Sequence, residues 1–133
     1  MIRQSSYKIA IWGNHLDLYQ HVNHARYIEF LEEARWAHFG GTQVLAKMKK
    51  LGLGFVIVNL NIDYLHPSTM GDVLIIKTNL RSIGHKSAQL FQDISLNSTD
   101  KKVAEAKITF VLLDMKTQKA VPVDEKLKSL LLK

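Results

Sequence analysis

A chain of 133 residues, 47% hydrophobic and 23% charged, has the balance of one ordinary globular domain that can bury a core without disulfides or metals. It contains no cysteine, which excludes disulfides, thiol catalysis and zinc sites built on thiolates. The net charge of +6 would suit a nucleic acid, a membrane surface or a phosphorylated cofactor, but the basic residues fall in small groups without an arginine-rich arm, so no nucleic acid partner is expected.

The first residues, Met1 to Ser6, lack an apolar signal core, and no apolar run reaches membrane-spanning length, so the expected location is the cytoplasm, away from any membrane. Tyr7, Ile9 and Ile11 alternate with Lys8, Ala10 and Trp12, the period-two pattern of a strand with one buried face. Gly13 ends it. A polar loop then carries Asp17 and His21 to Asn23, a plausible N-cap, and the helix that follows runs without Gly or Pro to Gly40-Gly41. Tyr27, Phe30, Leu31, Ala34 and His38 keep helical spacing, while Ile28, Trp36 and Ala37 add apolar surface on neighbouring faces, so this helix needs covering on most sides.

Thr42 to Lys50 reads as a shorter helix, with Thr42 as its cap, Val44, Leu45 and Met48 on one side and lysines on the other. From Leu53 the pattern becomes that of a strand. Phe55 and Ile57 share one phase and Leu60, Ile62 and Tyr64 the other, so the alternation slips near Asn59, as at a β-bulge. Pro67 and Gly71-Asp72 mark a turn before a strand over 73–81, which Gly84 breaks; Lys86 to Leu96 and Val103 to Asp114 form two more, separated by Asn97 to Asp100. Ala120 to Val123 reads as a short return, and Asp124 caps a last helix bearing Leu127, Leu130 and Leu131. Strands of about ten residues span roughly 33 Å and the central helix roughly 24 Å, so an antiparallel sheet can enclose it. The class is α+β.

The chemistry gathers at the start of that helix. Asp17 stands just ahead of backbone amides that have no helical acceptor and carry partial positive charge, a combination suited to attacking a carbonyl and holding the resulting oxyanion. Blander readings stand beside each residue. Asp17 is also a common turn former, His21 can satisfy loop backbone, and Asn23 can serve only as a cap. Asp17, His21 and His24 would align on a metal only if the helix began before Asn23, so none is expected. Glu32 and Glu33 can pair with Arg26 or Arg35, or one of them can act as a second base; Tyr27 fits the core or a pocket; His85 and Lys86 fit a solvated turn or a phosphate contact.

Trp12-Gly13, Asp17, His21-Val22-Asn23-His24, Tyr27, and Glu32 with Ala34-Arg35 together resemble the signature of hotdog-fold thioesterases of the 4-hydroxybenzoyl-CoA thioesterase-like group. Residues 16–23 are also similar to a segment of acyl-ACP thioesterases, and Tyr64 with Pro67, Gly71-Asp72, and Gly84 with Ser87 agree with the group's second half. The resemblance implies a hotdog fold, a long antiparallel sheet of five or six strands wrapped around a central helix, in homodimers or homotetramers with active sites between subunits. It further implies hydrolysis of acyl-CoA to free acid and CoA, with no cofactor beyond the substrate's own CoA. In that scheme Asp17 is the catalytic nucleophile or general base, and amides from Asn23 to Ala25 hold the oxyanion, with His21 and His24 as positioning groups. Tyr19, Tyr27 and Glu32 face the substrate, and His85, Lys86 and Ser87 meet CoA.

The chain departs from the group by one extra residue between Trp12-Gly13 and Asp17, and by His15 where an upstream acid is usual. Hydrolysis of acyl-ACP, with an acyl carrier protein as partner, is the alternative that the similarity of residues 16–23 implies, and Tyr19, standing where acyl-ACP thioesterases carry Asn, weakens it. A non-catalytic acyl-thioester binding or scaffold protein is the other class that fits, and the Asp and His spacing of related dehydratases is absent.

Overall fold

The computed structural model describes residues 4–40 and 43–132. Strand β1 (Gln4–Ala10) leads through a single 3-10 turn to helix α1 (His24–Gly40), and α2 (Val44–Lys50) follows. Then come β2 (Leu53–Tyr64), β3 (Val73–Ile83), β4 (Ala88–Leu96), β5 (Lys102–Asp114), the short β6 (Lys119–Ala120) and α3 (Glu125–Leu131). The Thr42 cap expected for α2 lies outside the described residues. Gln43, which precedes α2, has a left-handed backbone with φ 64°.

The strands form one antiparallel sheet in the order β1-β3-β4-β5-β2, with β6 added beside β5. β1 and β2 are therefore its two edges. α1 lies against the concave face, and Leu74, Ile76, Leu80, Leu90, Ile94, Ile108, Phe110 and Leu112 from the three central strands are fully buried under it. Each such side chain contributes about 2 kcal/mol on leaving water, so this face holds the fold together.

The expected phase slip in β2 is a bulge: Ile57 pairs with Phe110 and Asn59 with Thr109, leaving Val58 as the extra residue. Further register shifts, not read from the sequence, occur between Leu80 and Ser82 and between Ile94 and Ser95. Each bends its strand and helps the sheet curl around the helix. β4 begins at Ala88 rather than Lys86, because Gly84 donates to the Ser87 carbonyl at 2.7 Å and Lys86 is held in that turn. β6 covers Lys119–Ala120 rather than 120–123; beyond it the Val123 amide leaves β5 for the His85 carbonyl at 2.7 Å.

Tyr27, Phe30, Leu31, Ala34 and His38 are buried as their spacing predicts, whereas Ile28 and Trp36 stay exposed in the single chain. Arg35 is the correction on this helix. Expected to pair with a neighbouring glutamate, it is instead buried and donates from Nη1 to Gln92 Oε1 at 3.1 Å. Fully buried Gln92 also donates to the Leu31 carbonyl and to Thr78 Oγ1, both at 3.0 Å. These bonds brace the middle of α1 to β3 and β4, and removal from water holds the Arg35 guanidinium below its usual pKa, with Glu32 opposing the shift.

Candidate active site

The loop before α1 is closed by its own backbone. Leu16 and Val22 pair as an isolated antiparallel bridge, the Asp17 amide donates to the His21 carbonyl at 2.8 Å, and the Gln20 amide donates to the Asp17 carbonyl at 3.1 Å. Gln20 completes the turn with φ 64°, a conformation that glycine or asparagine adopts more readily. Asp17 Oδ1 accepts the Tyr19 amide at 2.8 Å and the His21 amide at 3.4 Å, so one carboxylate oxygen is spent on holding the loop. Among the described residues Asp17 Oδ2 has no hydrogen-bond donor.

The segment between β2 and β3 clips the loop from below. The Val22 amide donates to the Ser68 carbonyl and Thr69 Oγ1 to the Gln20 carbonyl, both at 2.8 Å. Together the two stretches enclose an open cleft of ≈ 370 Å³ lined by Asp17, His21, His24, Tyr27, Tyr64, His66 and Pro67, among others. Tyr27 bonds Ser68 Oγ through its hydroxyl at 2.5 Å, and burial raises its pKa against the opposing effect of that bond. Tyr64 donates its hydroxyl to the His24 carbonyl at 3.0 Å, its ring 5.8 Å from that of Tyr27, and burial raises its pKa as well.

The cap decides which amides are available. Asn23 Oδ1 accepts the Ala25 amide at 2.8 Å, the Asn23 carbonyl accepts the Arg26 amide at 2.9 Å, and the Asn23 amide itself donates to the His15 carbonyl at 3.0 Å. Of the amides from Asn23 to Ala25 expected to hold an oxyanion, two are thus already engaged. Among the described residues the His24 amide has no acceptor. His15, in the place of an upstream acid, accepts the Trp12 amide on Nδ1 at 3.0 Å and packs edge-on to Phe30.

The other expected site residues are not all gathered here. Tyr19 is 76% exposed at the loop tip, tied to Asp17 only by its backbone. Glu32 lies further along α1 and lines a separate cavity of ≈ 80 Å³ with Arg35, Trp36, Phe39, Phe55, Ile57, Leu90 and Phe110. His85, Lys86 and Ser87 follow the far end of β3, an 11-residue strand whose start adjoins the Asp17 loop. At about 3.3 Å per residue that is roughly 36 Å away, so one chain does not join them to Asp17. Tyr64 and His66 were missed as cleft residues. The available signal was the cluster Tyr64-Leu65-His66-Pro67-Ser68, where aromatic and polar groups continue after the alternation of β2 has ended.

Among the described residues no cluster of three or more His, Asp or Glu side chains could hold a metal ion, and no helix is long and apolar enough to cross a membrane.

Residues 11–131 match the family model of the Thioesterase-like superfamily. The chain belongs to this superfamily. It is 45% identical over 121 residues to the long-chain acyl-CoA thioesterase FadM of Escherichia coli, covering 91% of this chain and 92% of that one. The solved structure of YbaW, a probable thioesterase from Escherichia coli, superposes with a TM-score of 0.87 at 42% identity and 98% coverage of both chains. A 4-hydroxybenzoyl CoA thioesterase variant solved with 4-hydroxybenzoyl CoA superposes with a TM-score of 0.85 over 96% of this chain and 98% of that one; at 20% identity it supports the fold alone. The curled sheet around α1 is accordingly the hotdog fold that this thioesterase superfamily shares with its structural neighbours.

Proposed function

We propose that the cleft beneath Asp17 is the active site of an acyl-CoA thioesterase. The observation that carries this assignment is the division of labour at the loop–helix junction, where Asp17 Oδ1 is bound by loop amides while Oδ2 and the His24 amide remain open. Asp17 either attacks the thioester carbonyl carbon or takes a proton from the attacking water, and the His24 amide at the helix start receives the oxyanion. Collapse of that intermediate breaks the C–S bond; the thiolate leaves, gains a proton and departs as CoA. In the general-base route that collapse releases the acid itself, whereas in the nucleophilic route a water then hydrolyses the acyl-Asp17 anhydride to free acid and Asp17. The scheme calls on no cofactor beyond the CoA in the substrate, and a cytoplasmic location suits it. Likeness to FadM supports both hydrolysis and a CoA carrier.

A second copy of the chain would complete the cleft. β2 is an edge strand bearing exposed Ile57, Val58 and Tyr64, and Val58 bulges near its midpoint. Two β2 edges paired antiparallel about that point set the Leu53 end of one beside the Tyr64 end of the other. The Leu53 end follows the α2 lysines Lys47, Lys49 and Lys50, and the His85–Ser87 turn lies at the same end of the sheet. A homodimer therefore supplies from the partner the cations for CoA phosphates that one chain holds far from its own Asp17.

Release of free thiol from straight-chain and aromatic acyl-CoAs tests the assignment with wild type and Asp17→Asn. Asn keeps the Oδ1 acceptor but loses the charge, so the rate should fall about a hundredfold or more with the fold intact. Equal rates would move the catalytic role away from Asp17.

A further inference from the structure

We propose that Trp36 sets the acyl-chain length that this enzyme accepts, by dividing one apolar channel into two compartments. The inference rests on the acyl-CoA thioesterase reading above. The inner compartment is the ≈ 80 Å³ cavity between α1 and the sheet. An outer groove of ≈ 440 Å³ runs past Leu45, Met48, Gly54 and Met115. Both are lined by Trp36 and Phe55, the two rings that stand between them.

Those rings differ in freedom. Phe55 stacks on Phe39 with centroids 4.8 Å apart and lies 5.4 Å from Phe110, so packing fixes it. Trp36 is 51% exposed and, among the described residues, its indole makes neither a hydrogen bond nor a ring contact. The movable wall is therefore Trp36. The inner cavity is also small: an apolar cavity of about 150 Å³ is the size that takes up one benzene. An aliphatic chain that enters it soon meets the indole and can lengthen only by passing it. The cavity lies on the helix whose start forms the cleft, with Trp36 roughly 13 Å beyond Tyr27 at about 1.5 Å per residue, a distance that an extended acyl chain of medium length spans.

Values of kcat/KM for saturated acyl-CoAs of graded length, measured for wild type, Trp36→Ala, Trp36→Phe and Leu45→Trp, test the division. Trp36→Ala should move the optimum to longer chains, with about a fourfold gain for each methylene that enters the opened groove, the equivalent of about 0.8 kcal/mol. Trp36→Phe should fall between wild type and Trp36→Ala. Leu45→Trp fills the groove and should reduce turnover of the longest substrates alone, so the proposal stays testable if the alanine variant does not fold. The same factor at every chain length in all three variants, or loss of self-association accompanying Trp36→Ala, would overturn it and leave Trp36 a structural residue. Failure of wild type to hydrolyse any acyl-CoA would instead refute the underlying thioesterase reading.

Discussion

The two halves of α1 border spaces of opposite character. Around its first turn, backbone and side-chain polar groups are consumed one by one until Asp17 Oδ2 and the His24 amide are left over. Around its second half, Phe39, Phe55 and Phe110 fill space until a small volume beside Trp36 is left over. In the proposed scheme reactivity and selectivity are stored differently: reactivity as unspent hydrogen-bonding capacity on the loop, selectivity as unspent volume beside the Trp36 ring.

Asp17→Asn is the most severe test of that separation. Its loss of about a hundredfold or more should be the same at every acyl length, because the substitution leaves the apolar compartments untouched; a length-dependent loss would show that the two halves are coupled. Gln92→Leu acts between them. It strips the buried Arg35 guanidinium, the Leu31 carbonyl and Thr78 Oγ1 of their shared partner. We expect a loss of roughly 3 kcal/mol in urea unfolding.

Val58→Lys asks whether the cleft needs a partner chain. A cation on the exposed β2 edge should shift sedimentation from dimer to monomer. The accompanying fall in kcat/KM should be about tenfold, the weight of one well-placed interaction of about 1.4 kcal/mol. Retained dimers with full activity would place the partner elsewhere. Asp114→Ala is the mildest change. The Lys116 and Thr117 amides hold the Asp114 carboxyl below its usual pKa, so its contribution is complete above the unfolded value and fades as pH falls through the folded one. The variant should melt slightly below wild type at neutral pH, and the gap should close in strong acid, with chain-length preference unchanged.

Local features were legible because their causes are local. The Val58 bulge shows as a reversal of phase between Ile57 and Leu60, and the Asn23 and Asp124 caps show as polar residues ahead of apolar spacing. Long-range pairings were not. Arg35 sits where helical spacing offers it glutamates, and nothing nearby reveals that its acceptor is Gln92, 57 residues further on. The amide inventory at the helix start was likewise hidden, since Asn23 donates to the His15 carbonyl across the loop. The separation of His85 from Asp17 became visible only once strand order put them at opposite ends of β3.

Because a glutamine from the sheet grips α1 at Leu31 and Arg35, the middle of the helix has a polar anchor in addition to its apolar packing. In the proposed scheme, bulky residues around Trp36 can then be exchanged for slender ones while His24 stays in place, so a change of accepted substrate need not disturb the reacting groups.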